Sequence, residues 1–227
     1  MKLSTILLST GLLLAASPVC AQQAGGDMSM ESMGAMTAHM HFTDLQPERP
    51  GDRARADALL AEIRRVLAPY QEVRRAEADG FSPNLPNLVR RHYHFTRRDN
   101  FMLALVKFDP SRPSSLLYDR DPDGTFHLVG VMYTARRGAS LATLDERVPL
   151  SIARWHQHVN ICFAPKMSAA AYGGSNPQFG NRGSIATAEA CAAAGGRFTP
   201  QLLGWMVHIY PFETDPRQVW AIDRDMH

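Results

Sequence analysis

The chain has 227 residues, a formal charge of +2 and 45% hydrophobic residues. That length is ample for one hydrophobic core. A charge so close to neutral argues against a dedicated nucleic-acid binder, which needs a basic stripe against the phosphates. Paired arginines occur (64–65, 74–75, 90–91, 97–98 and 136–137), but acidic residues are interleaved with them.

Residues 1–21 read as an export signal. Lys2 supplies the positive start, 6–16 is a short apolar core, and Val19-Cys20-Ala21 is a small-residue cleavage site. The apolar run is too short to span a membrane, and no second hydrophobic segment follows. Pro18 and Val19 disfavour a lipid anchor at Cys20. The expectation is a periplasmic or secreted protein, cleaved near Ala21, with no membrane span in the mature chain. Cys162 and Cys191 then remain, and in an oxidising compartment an even pair reads first as a disulfide. Closing that loop would contribute roughly 3–4 kcal/mol. The alternative is thiolate ligation of a metal.

Residues 22–50 read as a disordered leader rich in Gly, Ser, Gln and Met. Met28, Met30, Met33, Met36 and Met40, with His39 and His41 around the last, form a candidate copper-collecting set. Thioethers suit Cu(I), and imidazoles suit Cu(II) and zinc.

Residues 52–79 carry the best helical pattern. Leu59, Leu60, Ile63, Val66, Leu67, Tyr70 and Val73 recur at three- and four-residue steps. Pro69 should kink this helix and Gly80 should close it. Residues 91–95 read as a strand carrying His92 and His94, and the apolar run 101–108 as another strand. Residues 116–119 and 126–135 form a hairpin around Pro122-Asp123-Gly124. Asp119, Asp121 and Asp123 also match the start of a calcium loop, but Gly130 stands where the bidentate Glu belongs, so the turn reading suffices.

Residues 139–148 read as a polar connection or short helix, and 165–183 as a loop. Thr187 should cap a helix over 188–194. Residues 205–210 read as the last strong strand, carrying His208, and 219–222 as a short edge strand.

The stretch Trp155-His156-Gln157-His158-Val159-Asn160-Ile161-Cys162 concentrates the chemistry. Side chains alternate along a strand, so His156, His158 and Asn160 should share a face. With His92, His94 and His208, three strands offer imidazoles at the right parity to converge on one copper or zinc ion. The best ligands are His156, His158 and His208, with His92 or His94 as a fourth. Asn160 and Glu213 are the candidates for orienting the ligands.

Together with Leu116-Leu117-Tyr118, Leu128-Val129-Gly130-Val131-Met132-Tyr133 and Gly204-Trp205-Met206-Val207-His208, this stretch resembles a family of exported bacterial proteins of unassigned function. The resemblance covers roughly residues 93–213 and implies one exported domain without implying an activity. His-x-His followed by a later His also resembles cupins, which implies a barrel. However, no Glu follows His158 at the cupin distance, and the cupin glycine pattern is missing.

The sequence therefore predicts a single α+β domain over 51–227. An N-terminal helix packs on an antiparallel sheet or cupin-like barrel, tied by a disulfide. The leading function is an exported metal-binding protein holding one copper or zinc ion. The alternatives are a metalloenzyme with an open position on the metal, for which no general base stands out although Asp145 and Glu146 are nearby in sequence, and a structural or interaction module whose histidines only make hydrogen bonds.

Overall fold

The computed structural model of the protein describes residues 38–87, 89–166, 169–173 and 176–222. The proposed signal segment and Met28, Met30, Met33 and Met36 lie outside them.

Strand β1 (Met40–Phe42) comes first. It is followed by helix α1 (Asp52–Leu67), a 3-10 turn (Ala68–Gln71), helix α2 (Val73–Ala78) and the two-residue strand β2 (Ser82–Pro83). Strand β3 (His92–Thr96), helix α3 (Arg98–Ala104) and the hairpin of β4 (Ser115–Arg120) and β5 (Phe126–Ala135) come next. Helix α4 (Leu141–Arg147) leads to β6 (His156–Phe163), α5 (Ala169–Tyr172), α6 (Ala188–Ala193), β7 (Arg197–Ile209) and α7 (Pro216–Val219).

The strands form one antiparallel seven-stranded sheet in the order β1-β6-β7-β5-β4-β3-β2. The fold is thus α+β. The sheet has two free edges, so the barrel alternative and its cupin likeness do not hold.

One face of the sheet carries the main core. Tyr93, Phe95, Leu116, Val131, Tyr133, Trp205, Val207 and Ile209 alternate inward and pack with Leu59, Leu60, Ile63 and Leu67 of α1. Pro69 ends α1 in the 3-10 turn, and Gly80, at φ 88°, closes the helical segment as the sequence predicts. Two tyrosines cross from this core to loop carbonyls. Tyr118 Oη donates to Tyr70 O and Tyr133 Oη to Pro110 O, each at 2.6 Å.

Several expectations are corrected. Residues 38–50 do not continue an unstructured leader. Met40–Phe42 add an edge strand to β6, and Thr43 N and Gln46 N donate to Trp155 O and Leu150 O at 2.9 and 3.0 Å. The apolar run after Thr96 begins with a helix, α3, instead of a strand. A short apolar run fits either element, and here Met102 and Val106 point outward at 55% and 82% exposure. Residues 219–222 do not form a strand; Asp215 caps the one-turn α7, which has Pro216 at its first position.

β7 also starts eight residues earlier than expected, at Arg197. Its first half pairs only with β6, so Pro200 meets no ladder on its other side. There the arginine Arg137 donates to Gln201 O at 2.9 Å and to Leu203 O at 3.3 Å.

Candidate metal centre

The second face of the sheet is organised differently. His94, Leu117, Met132, Met206, His156 and His208 share it, because Met132 pairs with His208 and Met206 with His156. Leu117, Met132, Met206, Tyr210 and Ala221 form a second, smaller apolar cluster.

Three of the four strand histidines that matter converge from different strands. His94 Nε2 and His208 Nε2 are 3.2 Å apart. The rings of His156 and His208 have centroids 4.9 Å apart, and those of His156 and His158 5.5 Å. β3 and β7 are three steps apart in the sheet, about 14 Å if it were flat. Two histidine side chains cannot bridge that gap and meet, so the sheet is curled with this face concave. A bulge in β5, where Val129 is the extra residue opposite the Leu117–Tyr118 step of β4, lies on the way, and bulges sharpen local bend and twist. Gly130 sits opposite Leu117, and a Cβ there would collide with the Ile209 carbonyl oxygen.

The β6–β7 ladder does not keep a simple register. His156 pairs with Met206 but His158 with Leu202, so β7 spends two extra residues between them. Leu203 takes a left-handed φ of 62°, and Gly204 packs so tightly that a Cβ would run into Ala135 O. Trp155, His156 and Gln157 are all buried in succession, with Trp155 in the main core.

The electrostatics favour bare, neutral imidazoles. Burial is the first cause and neighbouring imidazoles the second. Together they hold His94 and His156 well below the usual histidine range and bring His158 down to about 4. Arg90 adds to the effect on His94. Neutral imidazole is the ligating form, so protons compete weakly with an ion here.

His208 Nδ1 lies 2.6 Å from Ile222 O. A carbonyl only accepts, so Nδ1 carries the proton and Nε2 keeps the lone pair that faces His94. Among the described residues, both nitrogens of His156 and Nδ1 of His158 are buried with no hydrogen-bond partner. Unsatisfied buried polar groups cost about 1–3 kcal/mol each and are rare unless something is meant to fill them.

Metal–imidazole bonds of about 2.0–2.1 Å would make a 3.2 Å nitrogen separation subtend about 100–106°, near the tetrahedral value. Among the described residues, no three His, Cys, Asp or Glu side chains are already closed around one point. What the fold supplies is a converged pair with His156 beside it. No hydrogen bond opposes turning the His156 ring to complete a set of three.

The other candidates fall elsewhere. His92 shares the face of His94, and its Nδ1 is 2.6 Å from Asp119 Oδ1, its cross-strand partner. His41 stacks on Trp205, with centroids 5.5 Å apart, away from the cluster. Asn160 Nδ2 donates to Ala38 O at 3.0 Å, and Glu213 lies in the turn after β7 with its N–H on Tyr210 O at 3.1 Å. Neither orients an imidazole in these contacts; the carbonyl of Ile222 does that for His208. Asp145 is committed to Arg49, Arg55 and the Leu150 N–H, and Glu146 lines a surface cleft with Gln46 and Leu141.

Asp121 and Asp123 serve the hairpin turn: Asp121 O accepts from Gly124 N–H and Asp123 Oδ1 from Thr125 N–H, each at 2.9 Å, and Asp121 Oδ2 lies 2.7 Å from His127 Nε2. Cys162 and Cys191 form a disulfide, with Cα atoms 5.6 Å apart. It ties the end of β6 to α6 and leaves neither sulfur as a thiolate ligand. Among the described residues no helix is long and apolar enough to cross a membrane.

Sequence reading missed Met132 and Met206, which place thioethers 4% and 3% exposed on the histidine face. The signal was present: each sits at strand parity with a histidine on a neighbouring strand. No family model matches the chain, and neither a curated protein nor a solved structure matches it. The functional reading therefore rests on the residues of this chain alone.

Proposed function

We propose that this chain is an exported metal-binding protein that holds one copper ion on the concave face of its sheet, with His94, His208 and His156 as ligands. The observation that carries the reading is the convergence of His94 Nε2 and His208 Nε2 at 3.2 Å beside the wholly unpartnered ring of His156. Copper ranks ahead of zinc because Met132 and Met206 put soft donors on the same face. Export to the periplasm or beyond belongs to the same reading, supported by the N-terminal sequence and by the disulfide.

One observation favours a second reading, a metalloenzyme. The His92–Asp119 pair lies partly buried on the same face, with His92 two residues from His94, where a base would be useful. A metal with an exchangeable bound water would favour the enzyme; a metal closed by protein donors would favour the binding protein.

The deciding experiment is elemental analysis of the chain purified without an affinity tag, alongside His94→Ala/His156→Ala. The expected result is that the double variant holds about one copper per chain fewer than the wild type. No metal after reconstitution with copper and with zinc would leave a structural module whose histidines serve hydrogen bonds.

A further inference from the structure

His39 and His158 each bury an Nδ1 that has no hydrogen-bond partner. They come from adjoining segments, because Met40, next to His39, is the cross-strand partner of His158. The His39 ring is fully buried. Its Nε2 lies 2.7 Å from Gly183 O, so the proton sits on Nε2 and Nδ1 keeps its lone pair. Metal-ligating histidines are held in this manner, with the far N–H pinned by a carbonyl and the near nitrogen bare.

The segment is fixed on its other side as well. Ala38 O accepts from Asn160 Nδ2 at 3.0 Å, and Asn160 adopts a left-handed φ of 55°. Antiparallel partners project to the same face, so Met40 adds a thioether on the side of His158.

We propose that His39, His158 and the thioether of Met40 form a second, outer copper(I) position, where the leader joins the sheet. It rests on the metal-binding reading of the inner cluster. Two imidazoles and a thioether are a soft, sparse donor set that suits Cu(I) better than zinc. The outer position adjoins the inner one, since the rings of His158 and His156 have centroids 5.5 Å apart. An ion gathered by the leader thus has a station between solvent and the concave face.

The test is an anaerobic titration of the full chain with Cu(I) against a chromophoric chelator. His39→Gln keeps an N–H for Gly183 O and loses the imidazole. It should bind one equivalent fewer than the wild type, while circular dichroism and the thermal midpoint stay near wild-type values. His94→Ala/His208→Ala should lose a different equivalent and keep the outer one. If the wild type binds copper and His39→Gln binds the same number with the same affinity, the outer position is overturned and the inner reading stands. If the wild type binds none, both fall.

Discussion

His208 donates its Nδ1–H to the carbonyl oxygen of Ile222 across 2.6 Å, and that bond decides which nitrogen of the ring faces His94. The carbonyl comes from the segment just past α7, so the end of the described chain holds the ligand in its ligating tautomer. Truncation after Ala221 should therefore lower copper affinity by about 10–100-fold, the usual effect of losing such a partner. Chelator competition would measure it. Unchanged affinity would show that the ring is held by packing alone.

The metal-free protein should lose stability as the pH falls. His94, His156 and His158 are depressed in the folded chain relative to an ordinary value near 6.5. Between the folded and unfolded values the unfolded chain binds more protons, so acid favours unfolding. For His158 the window runs from about 6.5 down to about 4, and the loss is on the order of 3 kcal/mol. Denaturant midpoints at pH 7.5, 5.5 and 4.5 would trace it. Bound copper, which excludes protons from its ligands, should flatten the upper part of the curve. A flat metal-free profile over that range would mean that these imidazoles are not kept neutral.

Replacing both Met132 and Met206 by Leu should separate copper from zinc. Volume-conserving core swaps of this kind usually cost less than about 1.5 kcal/mol, so the fold should survive. Cu(I) affinity should fall by an order of magnitude or more while zinc affinity holds. Equal effects on both metals would make the thioethers packing groups only.

Gly196 has no room for a side chain. A Cβ there would lie 2.6 Å from Cys162 Sγ and 2.8 Å from Phe163 O. Gly196→Ala should destabilise the chain by about 1–3 kcal/mol, the range for overpacking. Thermal unfolding with the disulfide intact is the measurement, and a wild-type midpoint would refute the packing.

Arg147 is buried and spans two elements, donating to Ala104 O at 2.6 Å and Thr134 O at 2.8 Å. Arg147→Met removes both bonds and leaves two carbonyls unsatisfied, which should cost about 2–4 kcal/mol. Equilibrium unfolding would read this directly, and a loss below about 0.5 kcal/mol would show that water replaces the guanidinium.

Much of the fold was legible because its signals are local. The period of α1, the Pro69 break, the hairpin turn and the Thr187 cap each depend on a few neighbouring residues. Thr187 does accept from Ala190 N, at 3.2 Å. The misreadings of 101–108 and 219–222 share a cause, since α3 and α7 are too short for their periodicity to outvote an apolar run. The histidine positions were legible from strand parity, and His94, His156 and His208 do share a face. Their meeting was not, because it depends on the curl of the sheet, the bulge in β5 and the two extra residues in β7. The place of His39 was equally hidden. It depends on residues 40–42 finding the edge of β6, a pairing across more than a hundred residues.

That long-range assembly has a consequence for when the protein becomes competent. The concave face takes His94 from β3, His156 from β6, His208 from β7, a carbonyl from Ile222 and an edge strand from residues 40–42. Contacts so distant along the chain form late, because closing long loops is entropically expensive. A chain that is only partly folded has no assembled cradle for an ion. Capture would then act as a checkpoint on completed folding, and a truncated or misthreaded copy would be left empty.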